Sequence, residues 1–404
     1  MVENMLKEKY GIALDIGTTT VVLSLIELNT GKELNTVSEL NAQREFGQDI
    51  LSRITYEYRA GEEAIMQLQK KLVEQINDML RNVCGKSDVS IDEIKEIVVA
   101  ANCTMTHMLL GCDARGIGQS PYHPTFINAQ TLQARNVGIC VNENVLLYCI
   151  PQVSAFIGGD VVSGIYVNGL HTHREENSLF LDIGTNGEIV FAGPKGLVAC
   201  SCAVGPALEG MNISCGMVAE CGAIEEVALE NGIVSLKVIG DEQPKGICGS
   251  GVLAIVRELL KWSIIDETGC MEPEMFWLSR EPEVYICAKD VRQIQLAKGA
   301  LLAGIYTLLQ DVQVDIKDIE NIYIAGQFGS HLSESILLET GVLPKEAKGK
   351  VKYVGNAAKA GASLTLRSDK VRDEMEELAK DVRYVELSNT ETYTELFMKS
   401  MSFT

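Results

Sequence analysis

A short pattern that occurs twice constrains the fold of this chain more than any other feature of its sequence. Residues 12–27 read IALDIGTTTVVLSLIE, and residues 179–192 read LFLDIGTNGEIVFA. Each copy contains an apolar strand, the tetrapeptide Asp-Ile-Gly-Thr, a polar turn and a second apolar strand, which predicts the same β-hairpin twice. The duplication indicates a chain built from two related halves.

The remaining apolar patterns alternate between strand and helix. The predicted helices span 61–83, 253–264 and 290–312, and the predicted strands span 97–102, 144–150, 322–325 and 351–354. This alternation predicts an α/β layer fold with parallel strands.

The expected domain organisation is two lobes and a short tail. We expect lobe I over residues 1–176, lobe II over 177–368, and a C-terminal helix-strand-helix over 369–404 that packs back on the lobes. No low-complexity linker separates the lobes, which predicts a broad shared cleft rather than a flexible tether.

A weaker echo links GQDILSR at 47–53 with GGDVVSG at 158–164. Each segment has an exposed-looking aspartate, Asp49 or Asp160, that opens a run of helix-forming residues. A chance match explains this echo equally well.

Composition excludes several classes of function. The 35 basic and 55 acidic residues of the 404 give a net charge of −20, without a basic block, which argues against binding to nucleic acid. No apolar run reaches the roughly 18 residues that span a bilayer, and the charged start lacks a secretory core. We therefore expect a cytoplasmic protein without membrane segments, whose cysteines are reduced or act as ligands.

The hairpin turns carry residues suited to phosphate and a cation. Asp15 stands beside a glycine turn whose N–H groups and threonine hydroxyls can hold phosphate oxygens. Asp182 occupies the same place in the second copy and is expected to hold Mg²⁺ through water or to orient the attacking water. The predicted phosphate-binding residues are Gly17, Thr18, Thr19, Thr20, Gly184, Thr185, Asn186 and Gly187.

Three further glycine turns favour a nucleotide. They are GICGSG at 246–251, AGQFG at 325–329 and GNAA at 355–358. A helix that begins at Gly251 offers free N–H groups to a phosphate or ribose. The residues expected around ribose and adenine are Gly249, Ser250, Gly326, Gln327 and Gly329.

Four cysteines lie within 22 residues: Cys200, Cys202, Cys215 and Cys221. Thiolates are the ligands of iron–sulfur clusters, but this spacing is not that of a ferredoxin. Buried structural thiols are the alternative.

The order of these turns resembles the superfamily of acetate and sugar kinases, heat-shock chaperones and actin, abbreviated ASKHA. Within it, the chain is similar to the ATPase domain of the reductive activators of corrinoid proteins. The resemblance runs from residue 10 to residue 401 and rests on shared strings: NAQREFGQDILSRI, NCTMTHMLLG, SAFIGGDVVSG, GPALEGMNISCGM, GAIE, GICGSG, DVRQIQLAKGA, IYIAGQFG and VGNAAKAGA.

The resemblance implies an actin-like fold with ATP and Mg²⁺ in a cleft between two lobes, and Asp15 and Asp182 as the catalytic and metal-organising residues. It also implies ATP-driven reduction of a cob(II)alamin partner to cob(I)alamin in a methyl-transfer pathway. Members of the family usually carry an iron–sulfur module, and no ferredoxin module is recognised at either end of this sequence. Electrons would then come from a separate low-potential donor such as a ferredoxin. Alternatively, they would come from a cluster on the internal cysteines, and in one variant of this alternative two identical chains of a homodimer share the cluster.

Two other functions fit the same residues. A small-molecule kinase of this superfamily would use Asp49 or Asp160 as a base, and a nucleotide-switched binding protein would not transfer electrons at all.

Overall fold

The computed structural model describes residues 9–326 and 332–403. Its strands are β1 (Tyr10–Ile16), β2 (Thr20–Glu27), β3 (Glu33–Leu40), β4 (Ile94–Ala101), β5 (Gln130–Gln133), β6 (Leu146–Cys149), β7 (Ser178–Ile183), β8 (Gly187–Gly193), β9 (Gly196–Cys202), β10 (Ala223–Glu230), β11 (Ile233–Val238), β12 (Gly246–Ile247), β13 (Met275–Arg280), β14 (Glu283–Cys287), β15 (Asn321–Ala325), β16 (Val351–Gly355) and β17 (Arg383–Tyr384).

The helices are α1 (Ile50–Ala60), α2 (Glu62–Ser87), α3 (Cys103–Leu110), α4 (Gly159–Val167), α5 (Gly249–Lys261), α6 (Ala288–Val312), α7 (Glu334–Glu339), α8 (Ala357–Thr365), α9 (Asp369–Asp381) and α10 (Tyr393–Ser400). Short 3-10 turns join several of them, among them Ala42–Glu45 and Pro206–Glu209.

The chain divides into two compact units. The first contains residues up to 173 together with 356–384, and the second contains 174–355 together with 385–403. Each unit has its own apolar core, built around β1, β2, β4 and α2 in the first and around β7, β8, α5 and α6 in the second.

The same sheet topology occurs in both units. The first unit orders its strands β3-β2-β1-β4-β6-β5, and the second contains the run β9-β8-β7-β15-β16. In each, an antiparallel meander of three strands is followed by two parallel strands. The predicted duplication and the α/β class are therefore confirmed.

The two aspartates of the repeated motif occupy equivalent positions in these sheets. Asp15 lies opposite Ala100 of the parallel strand β4, and Asp182 lies opposite Ala325 of the parallel strand β15. Each is the penultimate residue of its strand. Both side chains are thus placed at the carboxyl edge of a central strand, where ligands of open α/β sheets bind.

The expected boundary of lobe II at residue 368 is corrected by the structure. Residues 356–384 belong to the first unit, because α8 packs on β1, β4 and α4. A Cβ added to Gly361 of α8 would lie 2.3 Å from the Cβ of Ser163, so the two helices approach closely only with glycine here. Farther along, Arg372 of α9 pairs with Glu96 of β4.

The expected C-terminal helix-strand-helix is also different in detail. Its strand is reduced to β17, because Leu387–Asn389 forms a 3-10 turn in which the Glu386 carboxylate accepts a hydrogen bond from the Ser388 N–H. The tail does not pack as one piece, since residues up to 384 join the first unit and the later ones join the second.

Candidate functional site

The first hairpin ends in a tight turn that follows Asp15. The Gly17 N–H donates to the Thr20 carbonyl at 2.9 Å and closes the turn. A Cβ on Gly17 would lie 2.9 Å from that same carbonyl oxygen, so a larger residue would open the turn. The Asn102 side chain, at the N-terminus of α3, donates to the Thr18 hydroxyl at 3.3 Å.

Asp15 is influenced by three polar residues of the first unit that are distant in sequence, Asn356, Asp160 and Lys359. Asn356 donates its side-chain N–H to the Asp15 carboxylate at 2.7 Å. Desolvation raises the pKa of Asp15 to about 7, and the negative charge of Asp160 adds to this rise. The hydrogen bond from Asn356 and the charge of Lys359 oppose it without cancelling it.

Asp160 is not the exposed residue that the sequence suggested. It lies in the first turn of α4, and burial raises its pKa to about 6, partly offset by the Val161 N–H that donates to its carboxylate at 2.8 Å. The chain reaches this position through Gly158, where a Cβ would lie 2.5 Å from the Cα of Asn102. Asp160 therefore joins Asp15 at the first hairpin, whereas Asp49 caps α1 as an exposed residue.

The second hairpin has a turn that is one residue shorter, since Ile183 pairs with Gly187 whereas Ile16 pairs with Val21 in the first. The Gly184 N–H donates to the Asn186 carbonyl at 2.9 Å, and the Thr185 carbonyl accepts from the Gly205 N–H at 2.8 Å. Gly326, with φ of +85°, follows β15, and a Cβ there would lie 3.0 Å from the Asp182 carboxylate. Gly326 therefore lies directly beside the second aspartate.

Glu209 is a functional candidate that sequence reasoning did not single out. Its carboxylate accepts a hydrogen bond from the Thr185 hydroxyl at 2.9 Å, and burial raises its pKa. It ends the Pro206–Glu209 turn, against which α5 begins, and a Cβ on Gly249 would lie 2.0 Å from the Leu208 carbonyl oxygen. The available signal was its place in the string GPALEGMN, shortly after the second hairpin.

The other predicted nucleotide residues fall into three groups. Ser250 is in the first turn of α5, with its hydroxyl 3.3 Å from the Cys248 thiol. Gly187 is buried at the start of β8, where a Cβ would lie 2.7 Å from Val204, so its structural role is close packing. Gln327 and Gly329 lie outside the described residues.

The structure does not bring the four candidate cluster cysteines together. Cys200 and Cys202 are buried in β9, where desolvation raises the pKa of both thiols, while Cys221 is exposed. The Cys215 sulfur accepts a hydrogen bond from the Tyr285 N–H at 3.5 Å. Within residues 9–326 and 332–403, no three His, Cys, Asp or Glu side chains are grouped so that they could hold a metal ion.

In the described part of the chain, no helix is long and apolar enough to cross a bilayer.

A repeated sheet with an Asp-Ile-Gly-Thr turn at each central strand defines a protein of the actin-like ASKHA class, a nucleotide-binding fold. Comparison with protein families agrees: the model of the C-terminal ASKHA domain of RACo matches residues 176–404, and that of the RACo middle region matches residues 10–173. The chain belongs to this family.

Individual relatives match over almost the whole chain. The corrinoid activation enzyme RamQ of Eubacterium limosum is 31% identical, with 98% of this chain and 71% of that protein covered. The [Co(II) methylated amine-specific corrinoid protein] reductase of Methanosarcina barkeri is 24% identical, with 98% and 77% covered.

A solved structure, the reductive activator for corrinoid, iron–sulfur protein, is 35% identical and superposes with a TM-score of 0.89. The match covers 98% of this chain and 66% of that one. This chain thus corresponds to about two thirds of the length of that relative.

Proposed function

We propose that this protein binds and hydrolyses ATP and uses it to drive the reductive activation of a corrinoid protein. The observation that carries the proposal is the pair of equivalent aspartates, Asp15 and Asp182, in a chain that belongs to the RACo family. Its relatives are named as a corrinoid activation enzyme and as a reductase of a corrinoid protein.

The residues around Asp15 fit a hydrated magnesium ion. Desolvation and the nearby carboxylate of Asp160 disfavour the ionised form of Asp15, and a bound cation would reverse this effect. Mg²⁺ bound with ATP supplies charge neutralisation on the phosphate oxygens. Asp15 of the first unit would hold such an ion through water. The equivalent role is proposed for Asp182 in the second unit, where Thr185, with Glu209 behind it, would orient phosphate or water.

The electron is supplied by another group. Reduction of cob(II)alamin to cob(I)alamin takes one electron, and the proposed donor is a separate low-potential protein such as a ferredoxin. In this proposal ATP changes the state of the corrinoid partner, and the donor then reduces it. A homodimer is a separate proposal, and the molecular mass of the purified protein in solution tests it.

The test is ATP hydrolysis by the purified protein with and without a corrinoid protein in the cob(II)alamin state. We expect hydrolysis that the corrinoid protein stimulates, and a loss of about a hundredfold or more in D15N and in D182N, because each removes a charge at the phosphate hairpins. Asparagine at position 15 can still accept the hydrogen bond from Asn356, so the fold is expected to persist.

The matched control is D78N, an exposed aspartate of α2 that pairs with Arg81. It should hydrolyse ATP like the wild type. Transfer of the γ-phosphate to a small acceptor, with no effect of any corrinoid protein, would replace the proposal by a kinase. Full activity in D15N and D182N would also contradict it.

A further inference from the structure

Three consecutive peptide carbonyls of the first hairpin turn accept hydrogen bonds from two residues of the first unit, Asn41 and Arg53. Gly17 C=O accepts from the Asn41 side chain at 2.9 Å, and Thr19 C=O accepts from the Asn41 backbone N–H at 2.8 Å. Between them, Thr18 C=O accepts from the guanidinium of Arg53 at 2.7 Å. Three consecutive peptide groups are thus anchored by two residues.

This anchoring fixes the direction of the N–H groups. In a trans peptide the C=O of one residue and the N–H of the next point in opposite directions. The N–H groups of Thr18, Thr19 and Thr20 therefore point away from Asn41 and Arg53. In the described part of the chain, those of Thr18 and Thr19 have no hydrogen-bond partner, as in a backbone concavity for an anion.

Arg53 is more deeply buried than arginine residues usually are. Its side chain is 0% exposed. Besides Thr18, it donates from Nε to the Gly47 carbonyl at 2.9 Å and from Nη1 to the Gln43 side chain at 3.3 Å. Arginines are rarely buried without an ion pair, and no carboxylate forms one with Arg53 among the described residues.

The positive charge of Arg53 is consequently not neutralised by direct contact. Burial lowers the pKa of its guanidinium to about 10, opposed by the charge of Asp49, so it remains a cation at neutral pH. A buried charge of this kind acts at short range with little screening. It sits directly behind the turn that is expected to receive a phosphate.

We propose that Arg53 is a positioning residue which, with Asn41, orients the Thr18 and Thr19 amides toward the phosphate of ATP and adds its own charge to their field. The proposal rests on the proposed function, since it assigns a task within ATP binding. It gives the segment 41–54, which carries part of the family resemblance, a role at the nucleotide rather than at the partner. A purely structural Arg53 would only fasten α1 to the sheet.

A positioning role and a purely structural role of Arg53 predict that its variants lose affinity for different ligands. Affinity for ATP and for adenosine is measured by competition with a fluorescent ATP analogue for the wild type, R53M and R53K. A positioning role predicts that ATP binds about tenfold to a hundredfold more weakly to R53M, while adenosine affinity changes by less than about twofold. R53K keeps the charge and a hydrogen-bond donor, so its ATP affinity should lie between that of the wild type and that of R53M.

The matched control is R372M, an arginine of the same unit that pairs with Glu96 far from the turn in sequence. It should lower the thermal stability without changing the ratio of ATP to adenosine affinity. An unchanged ratio in both Arg53 variants overturns the proposal, and R53K alone decides the question if R53M does not fold. A wild-type protein that binds no ATP contradicts the proposed function itself, which separates the two failures.

Discussion

Glu57 is a buried carboxylate on α1, one turn beyond Arg53. Its side chain is 0% exposed; Oε2 accepts from the Ala114 N–H at 3.0 Å, and Oε1 has no hydrogen-bond partner among the described residues. Burial raises the pKa of Glu57 to about 7, and the charge of Asp113 adds to the rise. An incompletely satisfied carboxylate of this kind makes stability depend on pH.

The direction of that dependence follows from proton binding. Because the folded-state pKa of about 7 is above the ordinary glutamate value of 4.5, the folded protein binds more protons than the unfolded chain between these two pH values. The contribution of Glu57 to the free energy of unfolding is thus present at low pH and is lost as the pH rises toward 7.

We expect E57Q to remove this loss. From pH 5 to pH 8, the difference in free energy of unfolding between the variant and the wild type should shift by about 1–3 kcal/mol in favour of the variant. Urea unfolding at both pH values measures the difference. E63Q, an exposed glutamate of α2, is the control and should follow the wild type; parallel pH curves for E57Q and the wild type would contradict the assignment.

At the scale of elements, α6 holds the C-terminal segment of the second unit through a buried lysine. The Lys298 ammonium donates to the carbonyls of Ser400 and Ser402, at 2.7 and 2.5 Å, and lies 5.5 Å from the centre of the Phe403 ring. Gln295, one turn earlier, donates to the Met401 carbonyl at 3.0 Å. Burial lowers the pKa of Lys298 to about 8.

Replacing this lysine should loosen the segment. K298M keeps much of the side-chain volume but leaves two carbonyls without their donor, which is expected to destabilise the unit by about 1–3 kcal/mol. Hydrogen exchange should show faster exchange over 393–403 than in the wild type. K289M removes an exposed lysine of the same helix as control; equal exchange in both variants would mean that apolar packing of α10 alone fixes the segment.

At the scale of the molecule, the first unit is assembled from two distant stretches of chain. Residues 356–384 supply Asn356 to Asp15, α8 to the faces of β1 and β4, and Arg372 to Glu96. In addition, the Tyr148 hydroxyl donates to Glu376 at 3.1 Å. The later stretch is part of the core and of the candidate site of this unit.

This organisation predicts how fragments of the first unit behave. Residues 9–173 alone should not unfold cooperatively, because the apolar surface that α8 covers would be exposed to water. A single chain that joins 9–173 to 356–384 through a flexible linker should give a cooperative thermal transition. Circular dichroism during heating measures both, and a cooperative transition of the shorter fragment would show that α8 and α9 are dispensable.

The hairpins were predictable because their information is local. The alternation of apolar residues and the Asp-Ile-Gly-Thr turn identify Asp15 and Asp182 from a few consecutive positions, and the duplication confirms the class of fold. Two expectations were wrong: the C-terminal strand is reduced to β17, and Asp160 is not exposed. Both depend on contacts with residues that no local pattern includes.

The sequence by itself thus determined the two hairpins, the α/β alternation and the family. Only the tertiary structure decided that residues 356–384 return to the first unit, that Glu209 meets Thr185, and that Arg53 stands behind the first turn. Asn356 and Asp15 are 341 positions apart. Spacing and periodicity describe neighbours along the chain, whereas these pairs form because distant segments share one buried core, which is settled only when the whole unit packs.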